Sequence, residues 1–273
     1  MQSSLSNGPT NFFRATYFIL ALLFASILPS HAMAQAGESP GWLPGLLDKE
    51  KLTVVITDSG LGGLSVVADA AVKFQQNPVF REVDLVFANA LFSDQGGYNS
   101  LSREEKVKVF SSALQSMADR YSPDIILVAC NTLSVLIPDT EFAATSSIPV
   151  VGIVENGVEQ IREQLQDDPQ DRNIIFATQT TVDEATHRNQ LVALGIRDEQ
   201  IVAQSCPQLS LYIEQGYDSM YTEMLIDAYV DEALSYMGET GGFLSVSFNC
   251  THCGYSLQLW TKAVASRGVE VSA

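Results

Sequence analysis

The chain has 273 residues, 46% of them hydrophobic and only 17% charged, which is too apolar for a disordered polymer and long enough to bury a core without staples. Lys and Arg number 15 against 32 Asp and Glu, a formal charge of -17, so there is no basic surplus to neutralise phosphates and no nucleic-acid partner is expected.

Taken in chain order, residues 1–34 read as an address label. A polar stretch ending in Arg14 precedes an apolar run from Tyr17 to Leu28; Pro29 and Ser30 break it, and Ala32-Met33-Ala34 follows. That is the layout of a secretory signal peptide cut before Gln35, with an uncleaved interfacial helix as the plainer alternative. The run is too short for a stable bilayer anchor, and no later segment is apolar for long enough to span. The expectation is an exported, periplasmic protein without a stable membrane anchor after cleavage. Residues 35–50, rich in Gly, Pro and Ser around Trp42, read as a leader segment.

From Leu52 onward short apolar runs alternate with longer amphipathic stretches. Strands are predicted at Leu52–Thr57, Val83–Ala88, Asp124–Ala129, Pro149–Val154, Asn173–Ala177, Gln200–Ala203 and Gly242–Ser247. Ser102-Arg103-Glu104-Glu105 is a capping box that opens a helix to about Tyr121, and further helices are predicted near 156–166, 181–194, 219–237 and 255–267. Such alternation predicts an α/β fold of mostly parallel sheets flanked by helices, with sites at the ends of strands. A boundary between two lobes falls near 146–154.

Three strand-end segments can carry chemistry. Thr57 to Ser65, with Asp58, Ser59 and glycines at 60, 62 and 63, lets backbone N–H groups approach an anion; the plainer alternative is a tight turn capped by Asp58. Ser65 stands where a dinucleotide fingerprint needs its last glycine, so NAD is rejected. Cys130-Asn131-Thr132 sets a thiol beside an amide and a hydroxyl, although a buried strand-end cysteine is the commoner fate of that residue. Asn249-Cys250-Thr251-His252 repeats the pattern with an imidazole two residues from the sulfur, where it can lower a thiol pKa or move its proton. Cys253 makes a C-x-x-C redox pair a rival reading. The four cysteines, Cys206 included, permit two disulfides but make no disulfide scaffold, and a single knuckle without a second pair gives no expectation of a metal.

These motifs, in this order, resemble the glutamate racemases of the aspartate/glutamate racemase superfamily. The family's Asp-Ser-Gly-x-Gly-Gly-Leu run is matched from Asp58 to Leu64, its Cys-Asn-Thr motif by Cys130, Asn131 and Thr132, and its Cys-Thr-His motif by Cys250, Thr251 and His252. Ile148 to Glu155 looks like its linker strand, and Cys206-Pro207 with Glu214 like its Cys-Pro-…-Glu segment. The resemblance spans roughly residues 51–273 and implies two pseudo-symmetric lobes with the active site in the cleft between them. By the same resemblance the first lobe takes 51–150 and 253–273, and the second takes 151–252.

The implied activity is cofactor-independent inversion of the α-carbon of glutamate or a related amino acid. Cys130 and Cys250 would be the two acid/base groups, assisted by Asp58 and His252 respectively. Ser59, Tyr98, Asn131, Thr132, Thr178, Thr180 and Thr251 would hold the substrate, with Glu214 behind them. The implied partner is a small-molecule amino acid, and a homodimer is compatible with the family. Three features depart from its pattern. Tyr98 lies in a stretch that differs from the family's Pro-Tyr-Gly; Cys253-Gly254 replaces Tyr-Pro; and Val269–Ser272 looks like a last strand after which a helix is expected. The family is typically cytosolic and serves peptidoglycan precursor synthesis, whereas this chain carries an export-type segment. A non-catalytic exported binding protein for acidic amino acids is the alternative function.

Overall fold

The computed structural model describes residues 41–90, 97–237 and 241–267. The signal-peptide reading and the expected last strand at Val269–Ser272 lie outside the described residues. In chain order the elements are α1 (Leu43–Leu47), β1 (Lys51–Asp58), α2 (Leu64–Gln76), β2 (Glu82–Asn89), α3 (Arg103–Tyr121), β3 (Ile125–Val128), α4 (Asn131–Ser134), α5 (Glu141–Thr145), β4 (Val150–Val151) and α6 (Val154–Leu165). There follow β5 (Arg172–Ala177), α7 (Gln179–Asp183), α8 (Thr186–Ala193), β6 (Ile201–Ser205), α9 (Leu209–Gln215), α10 (Met220–Met237), β7 (Leu244–Asn249) and α11 (Leu257–Ala265). Two sheets result, one ordered β2-β1-β3-β4 and the other β6-β5-β7, and every pairing is parallel.

The period-2 alternation of β1 explains its central place. Leu52, Val54 and Ile56 face α1 and α2, among Leu43, Leu46, Phe74 and Phe80, while Val55 faces α3 beside Phe110 and Leu114. The capping box opens α3 as its sequence dictates: Ser102 accepts from the Glu105 N–H, and the Glu105 carboxylate accepts from the Ser102 N–H at 2.9 Å. In the second sheet Ile174 and Phe176 of β5 face α10 and α11, and Ile175 faces the other way. One buried cluster runs from Val55 and Ile126 through Val158 and Ile161 of α6 to Ile175 and Ile201, so the two sheets share a core.

Four expectations are corrected. The leader is partly core, because Leu43 and Leu46 pack under β1. Of the stretch 253–273 expected in the first lobe, the described part packs mainly on the second: Trp260, Ala263 and Val264 of α11 lie on the second sheet, with the Trp260 ring 4.6 Å from Phe176 and 4.9 Å from Phe248. The physical reason is local, since α11 follows β7 directly and the aromatic face of that sheet takes its apolar side. The strand expected at Pro149–Val154 shrinks to two residues, because Ser134 Oγ accepts from the Ile153 N–H at 3.1 Å and draws the chain off the sheet. The helix expected at 181–194 is broken at Ala185, which takes a left-handed φ of 50° between α7 and α8.

Trp260 is 1% exposed and is the largest fully buried side chain. Trp260→Ala is expected to lower unfolding free energy by about 3–5 kcal/mol. Tyr236→Ala, at a position 69% exposed, is expected to change it by less than about 0.5 kcal/mol. Denaturant titration of both variants checks the pair.

Candidate active site

Parallel strands deliver their carboxyl ends to one edge of each sheet. Here β1 ends at Asp58, β3 runs into Cys130, β5 into Thr178, β6 into Cys206 and β7 into Cys250. The two edges meet around a cavity of about 610 Å³. Both Cys130, from the first sheet, and Cys250, from the second, line it.

The two thiols have different surroundings. Cys130 is buried, with Ser59 Oγ 3.1 Å from its Sγ; burial, reinforced by the nearby Asp58 charge, pushes the thiol up to about 12. Cys250 is held well below the ordinary thiol range. Its largest cause is a hydrogen bond from the Cys253 thiol, followed, against the cost of burial, by His252, whose Nδ1 lies 3.8 Å from Sγ. Cys253 sits in the same turn, its N–H bonded to the Cys250 carbonyl at 3.1 Å, and the hydrogen bond it gives the Cys250 sulfur, followed by burial, holds its own thiol well above the usual range. Burial alone would depress His252. The Cys250 thiolate, the Glu214 carboxylate and Asp58 outweigh it and hold the imidazole at about 9. Glu214 Oε1 is 2.7 Å from His252 Nε2 and also accepts from the Leu61 N–H at 2.9 Å. The surroundings therefore push the two thiols in opposite directions: those of Cys250 favour ionisation and those of Cys130 oppose it.

Asp58 is fully buried at the seam. It accepts from the Gly60 N–H at 3.0 Å and from Thr251 Oγ1 at 2.9 Å, and burial raises its carboxyl to about 6 despite the His252 charge. It does not hydrogen-bond Cys130; it acts on that thiol through its charge, while Ser59, expected to hold substrate, is the group in contact with the sulfur. The glycines beside Asp58 serve close approach. A Cβ on Gly62 would overlap Thr251 and His252, and one on Gly60 would come within 2.8 Å of Glu214 Oε1.

Among the other expected residues, Tyr98, Asn131, Thr132, Thr178 and Thr251 line the cavity, as do Ser59, Asp58, His252 and Glu214. Thr132 Oγ1 and Thr178 Oγ1 meet at 2.7 Å across the two sheets. The Tyr98 ring is edge-on to Phe110, and its buried hydroxyl has no hydrogen-bond partner among the described residues. Thr180 is the exception: its hydroxyl donates to Asn99 Oδ1 at 2.7 Å, accepts from Lys106 Nζ at 2.9 Å and stays off the cavity wall. The one-turn helix α7, capped by Thr178, rotates it toward α3. Glu214 stands closer than expected, on the cavity wall itself. Sequence reasoning missed Asn99, Gln208, Ser210 and Leu211 on the wall and His187 behind Asn131. Gln208 opens α9 from a left-handed φ of 63°, a turn that no glycine signals. Among the described residues no three His, Cys, Asp or Glu are grouped so as to hold a metal ion.

Comparison with known proteins gives the family and the fold. Residues 88–238 match the family Asp/Glu/Hydantoin racemase, and the chain belongs to it; it is an isomerase. A glutamate racemase of Sulfurihydrogenibium sp. is 25% identical over 203 residues, 74% of this chain and 71% of that protein. The glutamate racemase of Thermus thermophilus in complex with β-chloro-D-alanine superposes with a TM-score of 0.60 at 22% identity, covering 82% of this chain and 76% of that one. The glutamate racemase of Francisella tularensis in complex with D-glutamate gives 0.58 at 18% identity, over 82% and 76%. At such identities the structural likeness establishes the two-sheet fold.

The Glu214 carboxylate favours the imidazolium, so its removal lowers the ring's pKa. Glu214→Gln is expected to move the His252 titration, followed by NMR of the imidazole, down from about 9. An unmoved titration would show that the carboxylate does not act on the ring.

Proposed function

We propose that this member of the Asp/Glu/Hydantoin racemase family inverts the α-carbon of glutamate, or of a closely related amino acid, by a two-cysteine acid/base mechanism without a cofactor. The observation that carries the reading is that two thiols from two different sheets line one cavity in unlike surroundings, Cys130 beside the Ser59 hydroxyl and Cys250 beside the His252 imidazole. Inversion requires a base on one face of Cα and an acid on the other, each matched to working pH. The Cys250 thiolate takes the α-proton. The electron pair left on Cα delocalises into the carboxylate as an enolate-like dianion, and the Cys130 thiol returns a proton from the opposite face. Cys250 is then a thiol and Cys130 a thiolate, the arrangement from which the other enantiomer reacts in reverse.

The reverse state needs a thiolate at Cys130, which burial and the Asp58 charge oppose. A carboxyl near 6 takes up a proton readily, and neutralising it removes the like charge beside the sulfur. On the other side, the His252 imidazolium and the Cys253 thiol stabilise the Cys250 thiolate. Among the described residues no Lys or Arg lines the cavity, and the substrate carboxylates are held by neutral donors: Asn131, Thr132, Thr178, Thr251 and the Tyr98 hydroxyl, which has no partner among those residues. Support for glutamate as substrate comes from the names of the relatives and from the D-glutamate bound to the Francisella enzyme. Export through residues 1–34 belongs to the same reading. A precursor shifted in mass by loss of those residues, in the extracytoplasmic fraction, tests it.

The reduced protein incubated with L-glutamate in D₂O is expected to exchange the α-hydrogen and accumulate the D-enantiomer. Cys130→Ala and Cys250→Ala are each expected to lower inversion by about 10³-fold or more, the loss typical of removing one essential proton-transfer group. As pH rises through about 9 the His252 ring loses its proton and its charge while Cys250 stays ionised; the cavity then lacks the cation that faces the negative charge of substrate and thiolate, so turnover falls on the alkaline side. Stereospecific binding with no exchange across a panel of amino acids would instead favour a binding protein, and inversion surviving both alanine changes would refute the two-thiol mechanism.

A further inference from the structure

The residue behind Asn131 decides which end of that amide the cavity sees. Asn131 lines the cavity at 5% exposure, and its Oδ1 lies 3.1 Å from Nε2 of His187, itself 3% exposed. An amide oxygen can only accept, so this pairing requires the Nε2–H tautomer of the ring. Burial depresses the His187 imidazole to about 4, which keeps the ring neutral near pH 7 with a single proton to place. With Oδ1 engaged from behind, the amide turns its nitrogen, two donors and no acceptor, toward the cavity.

The fold builds this contact on purpose-shaped ground. His187 lies in the first turn of α8, immediately after the left-handed Ala185, and that break aims it across from the second sheet's lobe to the strand-end loop of the first. On α6, Gly157 faces it; a Cβ there would come within 3.7 Å of the His187 ring and 3.1 Å of the Asn249 amide. A continuous helix over 181–194 would carry residue 187 to another face. The contact is therefore fixed by the same kink that the sequence does not announce.

We propose that His187 is a positioning residue that fixes the polarity of the Asn131 amide, so that the site presents N–H donors to a substrate carboxylate. The inference rests on the reading above that the cavity holds an amino acid. Because a carboxylate is charged both in the substrate and along the reaction, losing its donor acts mainly on binding.

The test uses the full-length protein and three substitutions. His187→Leu and His187→Met fill similar space without a donor, and either one that folds suffices; His187→Gln keeps an N–H near the position of Nε2. The donorless variants are expected to raise KM for the accepted amino acid about tenfold with kcat changed less than about threefold, the size of one well-made hydrogen bond. His187→Gln is expected to stay within about threefold of the parent in KM. Equal losses in the Gln and donorless variants, or a loss confined to kcat, would overturn the proposal. A second readout needs no turnover: ¹⁵N shifts of the His187 ring, assigned by their disappearance in His187→Gln, are expected to show the neutral Nε2–H tautomer. An Nδ1–H tautomer would overturn the pairing even if the protein proved inactive on every amino acid, an outcome that would count against the racemase substrate reading instead.

Discussion

The arrangement depends on one buried carboxylate at the seam between two sheets. Asp58 ends the central strand of the first sheet, has no solvent exposure, and accepts from a hydroxyl that belongs to the loop after the last strand of the second. A charge in that position is tolerated only when its oxygens are satisfied. The Gly60 N–H and Thr251 Oγ1 do this, and each imposes a condition on the chain. The first requires a tight turn directly after β1. The second requires the two strand-end loops to touch. Touching loops leave no room for side chains between them, which is why Gly60 and Gly62 face Glu214, Thr251 and His252 without a Cβ. The glycine run is thus a consequence of lobe contact more than of anion binding at a helix start.

The same carboxylate helps make the two thiols unlike. Its charge opposes ionisation of Cys130 and favours the His252 imidazolium, and that imidazolium in turn favours the Cys250 thiolate. The buried anion therefore acts on Cys130 directly, and next to Cys250 it repels that sulfur while favouring the imidazolium beside it. The formal charge of -17 is no obstacle to the proposed substrate, because what an anion would meet in the cavity is decided within a few ångströms by hydroxyls, an amide and the His252 ring.

Much of this was legible in the sequence where local rules govern. The alternation of β1, the capping box at Ser102 and the strand-end placement of Asp58, Cys130 and Cys250 follow from spacing and residue type, and the structure has them where expected. What escaped depends on contacts distant in sequence. Ser134 shortens β4 by bonding Ile153, and the Phe176–Phe248 surface captures α11. Ala185 and Gln208 take left-handed backbone without glycine, so nothing in their neighbourhood marked the turns that aim His187 and the start of α9. Thr180 was assigned to the substrate because it shares a loop with Thr178. Two residues of helical rotation separate it from Thr178 and turn it to Lys106 and Asn99 instead.

The third thiol of the site follows from the same geometry. Cys253 stands one turn after Cys250, its backbone N–H on the Cys250 carbonyl and its side chain 1% exposed among Cys206, Trp260 and the apolar face of α10. An apolar surrounding makes ionisation of Cys253 costly, so of two adjacent sulfurs the one facing the cavity and the imidazolium takes the negative charge, and the other keeps its proton and donates it. The side chain that would compete with Cys250 as a nucleophile becomes a hydrogen-bond donor to it. The hydrogen bond between the two sulfurs, with burial, thus sets Cys253 apart from Cys250 before anything enters the cavity.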